Sequence, residues 1–210
     1  FIADEFQTQV YQTVGTPGVP VDFNTILSAD ALMTQLGIPE DGKRYAAVPP
    51  RVSANLNNDL YNVFNSTVNT GALIDGFIGH LSGFDFFKTN FLKRQIAGAG
   101  QAGGSPPAGM QLAGTVTNGP IVGGNTIAVT GLGQAPGTVV FNVGDVLQVD
   151  PDAGVYMVNP LTYEPLSQTA QFVVTATTPS SGGGTATLTV SPSIVISGAR
   201  QNISAAIPNG

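Results

Sequence analysis

From Gln95 to Ala199 the chain contains no lysine, arginine or histidine, and its apolar residues come in short β-branched runs closed by Gly, Pro, Asn or Asp. Residues 126–130 (TIAVT), 138–143 (TVVFNV), 146–150, 155–158, 171–177 (QFVVTAT), 185–191 (TATLTVS) and 194–196 read as strands, because branched side chains suit a pleated backbone and each run ends at a turn former. Several short strands with no helical window between them predict an all-β module, a small barrel or sandwich. Residues 180–184 (SSGGG) read as a hairpin tip, and residues 97–109 (AGAGQAGGSPPAG) as a linker, since such compositions hold no fixed backbone.

The first half obeys a different rule. Near residue 97 the composition shifts: 19 of the 27 Gly and 10 of the 15 Pro follow it, while six of the seven Lys and Arg precede it. Residues 1–14 read as the end of a helix, with Ile2, Phe6, Val10 and Val14 at every fourth position and Gly15 as the stop. Asn24 is the expected N-cap of a second helix, whose Ile26, Ala29, Met33 and Leu36 keep three-and-four spacing until Gly37 and Pro39. A strand at residues 44–48 runs into Pro49-Pro50, and a further helix carries Val52, Leu56, Leu60, Val63 and Phe64 on one face. Glycines at 71, 76, 79 and 83 then lead to the aromatic run Phe84-Asp85-Phe86-Phe87.

What this chain can do is narrowed by what it lacks. With 210 residues it is long enough for one large or two small domains with a buried core. Without cysteine it has no disulfide, thiolate metal site or thiol nucleophile, and its one histidine cannot make a multi-histidine site. Thirteen acidic against seven basic side chains give a net charge of -6, the wrong sign for a protein that binds by neutralising phosphates. No run of 18 apolar residues is present to cross a membrane. Gly98, Gly100 and Gly103 match G-x-G-x-x-G, yet Ser105-Pro106-Pro107 follows where a phosphate-binding helix must open. Asp150, Asp152 and Gly154 imitate a calcium loop whose twelfth position is Leu161 rather than Glu, so a tight acidic turn is expected. The sequence assigns His80 neither an orienting carboxylate nor a serine nucleophile, and the carboxylates form no evident pair. No cofactor, metal or catalytic residue is expected, and the residues favour a scaffold or interaction protein over an enzyme.

Several stretches carry a family resemblance when taken in order. Gly42-Lys43-Arg44-Tyr45-Ala46-Ala47-Val48-Pro49-Pro50 is a basic residue, hydrophobic strand and proline segment behind a helix. Phe77-Ile78-Gly79-His80-Leu81-Ser82-Gly83-Phe84-Asp85-Phe86 is a glycine-spaced passage ending in G-F-D and a strand. Gly144-Asp145-Val146-Leu147, Val158-Asn159-Pro160-Leu161-Thr162, Gln171-Phe172-Val173-Val174-Thr175, Ala186-Thr187-Leu188-Thr189-Val190-Ser191-Pro192 and Ser204-Ala205-Ala206 follow. Together they resemble the major coat proteins of tailed bacteriophages, in the branch whose capsid subunit carries an inserted β-barrel.

That resemblance implies an α+β chain with a Hong Kong 97-type capsid fold. Residues 1–95 would be capsid core (the end of the spine helix and the axial domain), residues 96–203 an all-β insertion domain forming a small barrel, and residues 204–210 a return toward the core. The implied function is a structural subunit of a bacteriophage or prophage head shell, self-assembling to enclose DNA, made in the bacterial host cytoplasm and ending in the virion. Implied partners are copies of itself in capsomers, with scaffolding and portal proteins; no specific nucleic-acid site and no membrane is implied. The family's amino-terminal arm, extended loop, most of its spine helix and its final strands have no counterpart, which suggests a processed or excised central piece. The loop at residues 117–125 (TNGPIVGGN) is the candidate for reaching a neighbouring subunit, through Asn118, Gly119 and Asn125, with Lys88 and Arg94 as basic contacts to acidic surfaces. The competing readings are a β-rich receptor-binding or decoration module of a virion, and an enzyme using Asp145 or Asp150 that lacks a credible acid and base pair.

Overall fold

The computed structural model describes residues 9–16, 19–63, 80–92, 95, 115–132, 135–176, 178–181 and 184–209. The readings placed on residues 1–8, on Phe64, on the glycines at 71, 76 and 79, on the 97–109 linker and on Arg94 lie outside these residues, while the helix expected to run to Val14 is corrected: Gln9 is helical and residues 10–14 are not. The chain divides into two compact units, Val14–Lys93, and Phe1–Thr13 together with Arg94–Gly210.

In the Val14–Lys93 unit, helix α1 (Phe23–Gln35) is capped by Asp22 rather than by Asn24. The Asp22 carboxylate accepts from both the Thr25 N–H at 2.8 Å and the Thr25 hydroxyl at 2.6 Å, which satisfies a donor that the first turn cannot pair internally. The Thr25 hydroxyl, and then its N–H, hold this carboxyl below the ordinary aspartate value. Helix α2 (Pro50–Val63) opens on a proline, whose fixed φ and missing N–H suit a first turn. It buries Leu56 completely.

Between the helices, strand β1 (Arg44–Val48) runs parallel to β3 (Phe84–Lys88), with Arg44 opposite Phe84 and Val48 opposite Lys88. Strand β2 (His80–Leu81) turns back antiparallel onto β3 through Ser82-Gly83, both at positive φ, as a two-residue hairpin requires. The sheet order is β1-β3-β2. Alternation along the strands sends Ala46, Val48, Phe84, Phe86 and Leu81 into a core with Ile26 and Leu56. The Phe84 and Phe86 rings meet edge to face at 6.4 Å.

From Thr115 onward the named elements of the second unit are strands and one 3-10 turn at Pro151–Ala153. Its strands are β4 (Thr115–Val116), β5 (Gly123–Thr130), β6 (Val139–Phe141), β7 (Val146–Gln148), β8 (Tyr156–Val158), β9 (Pro165–Thr169), β10 (Gln171–Val174), β11 (Thr178–Pro179) and β12 (Ala186–Val195). Five of them form an antiparallel sheet in the order β4-β5-β12-β10-β7, while β6 with β11 and β8 with β9 make two-stranded ribbons. This corrects the expected small barrel: no closed barrel is seen among the described residues. The strands that could close a ring pair with one another instead, leaving β4 and β7 as sheet edges.

The runs read separately at 185–191 and 194–196 are one strand. Pro192 sits where the β5–β12 register shifts between Thr189 and Ile194, so its missing N–H breaks no regular ladder. Phe172, Val140, Leu132, Leu188, Ile194 and Val155 fill the core, and all four residues of β10 are buried, as befits a strand with neighbours on both sides. Ile203 and Ile207 join that core through bridges to Met157 and Ile121, so residues 204–209 continue along this unit.

Candidate functional site

The two faces of the β1-β3-β2 sheet differ in kind. On the inner side the first residue of β1, Arg44, is only 4% exposed. Its guanidinium donates to Asp30 Oδ1 at 2.5 Å, to the Ile38 carbonyl at 2.5 Å and to Thr34 Oγ1 at 3.2 Å, with Glu40 at 3.6 Å. A buried cation is tolerated only when its donors are taken up. Arg44 thereby ties the start of the strand to the body and the end of α1. Its Nε is buried without a partner.

The outer face is built by the other half of the same alternation. Cα partners across both strand pairs share a face, so Tyr45 with Asp85, Ala47 with Phe87, and His80 with Asp85 all point away from the core. Tyr45 is 63% and Phe87 56% exposed, yet their rings touch, with centroids 5.8 Å apart. Beside them His80 Nδ1 lies 2.9 Å from Asp85 Oδ1. The Ser82-Gly83 hairpin sets that pairing, so the fold supplies the carboxylate partner that the sequence did not assign to His80. Phe91 and Leu92, just past β3, are also exposed. The signal for this face was present as the period-two strings R-Y-A-A-V and F-D-F-F-K, in which large apolar side chains occupy both phases.

The five contact candidates are placed as follows. Asn118 is exposed, but both ends of its amide are used by strand β5: Oδ1 accepts from the Ala128 N–H at 2.8 Å and Nδ2 donates to the Thr126 carbonyl at 3.4 Å. Gly119 donates its N–H to Asn209 Oδ1 at 3.0 Å, and a Cβ there would lie 2.6 Å from the Asn209 nitrogen. The loop is thus fastened to the last residues of the chain, aided by the reciprocal Ile121–Ile207 backbone bonds at 2.8 and 3.2 Å. Asn125 is exposed on β5 beside the register shift, and Lys88 is exposed at the end of β3. Arg94 lies outside the described residues. The structure therefore brings Asn118 and Gly119 together in one pinned loop and leaves Lys88 in the other unit.

Three further features are fastenings. The Asp145 carboxylate accepts from the Asn142 N–H at 2.8 Å and from the Gln95 amide at 2.9 Å. Gln171 and Gln168 grip Thr13, whose N–H donates to Gln171 Oε1 at 2.8 Å and whose carbonyl accepts from both amides. The acidic turn at Asp150 is closed by the Asp152 N–H at 2.9 Å. Among the described residues no helix is long and apolar enough to cross a membrane. Compared with models of known protein families and with curated proteins, the chain matches none.

Proposed function

We propose that this chain is a structural subunit of a bacteriophage or prophage head shell, with a Hong Kong 97-type capsid core in its first half and a β-rich insertion in its second, and that it performs no reaction. The observation that carries this reading is the pairing of β1 with β3. The stretches beginning at Gly42 and ending in Gly83-Phe84-Asp85-Phe86, which resemble the same coat-protein family at two distant points of the sequence, lie side by side as parallel strands in register from Arg44 to Val48. Segments of one ancestral sheet are expected to keep that neighbourhood, whereas unrelated glycine and aromatic strings have no reason to meet. The mixed α+β architecture with a separate β unit agrees with it.

A shell subunit works through its surfaces. Each contact can be modest, because closure ties a subunit to several neighbours and makes the later contacts effectively intramolecular. An acidic subunit of net charge -6 encloses DNA without binding it tightly. In this reading the partners are copies of the chain with scaffolding and portal proteins, and the site of action is the virion, after synthesis in the bacterial cytoplasm.

The test is assembly. The gene that encodes this chain, expressed in a bacterial host with its neighbouring head genes, is expected to yield closed shells of uniform diameter by negative-stain electron microscopy. Soluble, folded subunits that never form shells in repeated preparations would overturn the reading.

A further inference from the structure

We propose that Asn118 is a modification site: its side-chain amide is open to loss by attack of the Gly119 nitrogen, and Asn209 is the latch that blocks this reaction in the folded chain. The inference goes beyond the shell-subunit reading and does not depend on it, since the reaction is one the chain undergoes rather than one it performs on a substrate.

The chemistry starts from the sequence. Of the asparagines in the chain only Asn118 and Asn209 precede a glycine. Glycine has no Cβ to obstruct its own nitrogen as it nears the preceding side chain. The Gly119 N–H gives its proton to solvent base, the nitrogen bonds to Asn118 Cγ, and the Cγ–Nδ2 bond breaks as ammonia leaves with a proton taken from solvent. Water then opens the succinimide at either carbonyl, leaving aspartate or its β-linked isomer. Only water is consumed, nothing is oxidised or reduced, and the net charge of -6 becomes one unit more negative.

In the fold both reacting groups are occupied. The Gly119 N–H donates to Asn209 Oδ1 at 3.0 Å, and a hydrogen bond made by the neutral form opposes loss of its proton. Asn118 Oδ1 accepts from the Ala128 N–H at 2.8 Å and its Nδ2 donates to the Thr126 carbonyl at 3.4 Å, which holds the amide on β5 and away from the glycine nitrogen. Rotation of the Gly119 backbone is blocked as well, because a Cβ there would lie 2.6 Å from the Asn209 nitrogen and 2.8 Å from the Pro208 carbonyl carbon. Solvent is not the limit, since Asn118 and Asn209 are both exposed.

The missing freedom returns when residues 207–209 lift from the loop, a local opening that breaks the Asn209 bond and the reciprocal Ile121–Ile207 pair. The change is one-way. Aspartate at this position loses the Nδ2 donor and sets a carboxylate against the Thr126 carbonyl, and the β-linked isomer lengthens the backbone by one atom. Either product leaves the loop less firmly fastened than before.

The test compares the full chain, folded at mildly alkaline pH, with the same chain held unfolded in urea. Peptide mapping by mass spectrometry reads Asn118 and Asn209 separately. Asn118 is expected to persist in the folded wild type and to be lost in urea, while exposed Asn125, which precedes Thr126, persists in both. Asn209→Ala removes the acceptor and is expected to speed loss at Asn118 about 5-fold, the size of one net hydrogen bond, with exchange of the Gly119 amide rising in step. Asn209→Asp keeps an acceptor oxygen and is expected to restore protection. Equal loss at Asn118 in the folded and unfolded chain, no loss in urea, an unchanged rate in Asn209→Ala, or an Asn209→Asp chain as labile as Asn209→Ala would overturn the proposal. If Asn209→Ala does not fold, urea below the unfolding transition replaces it. Loss at Asn118 must then follow exchange of the Gly119 amide, and loss that waits for global unfolding rejects the latch.

Discussion

The two units solve the same problem, fastening loops to a core, with different chemistry. In Val14–Lys93 the fastening is ionic: Arg44 is buried and grips Asp30, Thr34 and the Ile38 carbonyl. In the β unit no cation is available from Gln95 to Ala199, and the fastenings are amides. Asn118 holds Ala128, Asn202 holds Val195 and Ser193, Asn159 closes the turn at Leu161 and Thr162, and Gln171 holds Thr13. Its buried carboxylate, Asp145, is also met by neutral donors. The lesson is that an uncharged chain can still order long loops, because an amide carries donor and acceptor on one short side chain and loses little when partly buried. The cores differ too. Among the described residues the β unit's cluster runs from Ile121 to Ile207 through most of its strands, whereas the other rests on Ile26, Leu56, Phe84 and Phe86.

If this contrast is right, substitutions act on one unit at a time. The largest effect is expected from Phe172→Ala, at 1% exposure in the middle of β10, which should cost about 4 kcal/mol in the denaturant transition of the β unit and leave the other transition in place. Arg44→Ala strands the Asp30 carboxylate and should cost about 3 kcal/mol, confined to the Val14–Lys93 transition. The double variant Arg44→Met with Asp30→Leu is expected to recover most of that loss, because removing both charges leaves none unpaired. Gly119→Ala drives a Cβ against the Asn209 backbone and should destabilise the β unit by about 2 kcal/mol, seen as faster amide exchange at Ile207. Asn118→Ala removes the acceptor of the Ala128 N–H and should cost about 1 kcal/mol in the same transition.

The smallest effect concerns pH. The Asp22 carboxyl titrates below its unfolded value, so its stabilisation of α1 is present above that value and is lost as pH falls through the folded one. Asp22→Asn should keep the cap and flatten the acid limb of the helix transition followed by circular dichroism. An unchanged limb would show that another group sets it.

Much of the fold was legible residue by residue. The period-four spacing at Ile26 and Leu56, and the β-branched runs at 126–130, 138–143 and 171–177, report elements whose side chains alone specify their geometry. The short strands β2, β4, β9 and β11 were not legible. Pro165-Leu166-Ser167-Gln168-Thr169 has neither β-branched density nor apolar alternation, and it becomes a strand because β8 offers a ladder. The cap at Asp22 was missed because both Asp22 and Asn24 are good caps, and only the position of Thr25 decides between them. Of the contact candidates, Asn118 and Gly119 looked free in a Gly-rich loop, but Asn118 is taken up by Thr126 and Ala128 on β5, and the partner of Gly119, Asn209, lies far along the chain.

Composition and period alone determined that this chain would be acidic, would change from helix to strand near its middle and would build its second half without cations, because those properties belong to single residues and their nearest neighbours. Which strands pair, that the second half stays an open sheet, that His80 meets Asp85 and that Tyr45 and Phe87 share a solvent-facing side were decided only in the tertiary structure. Each depends on bringing together residues whose separation along the chain carries no trace of their distance in space.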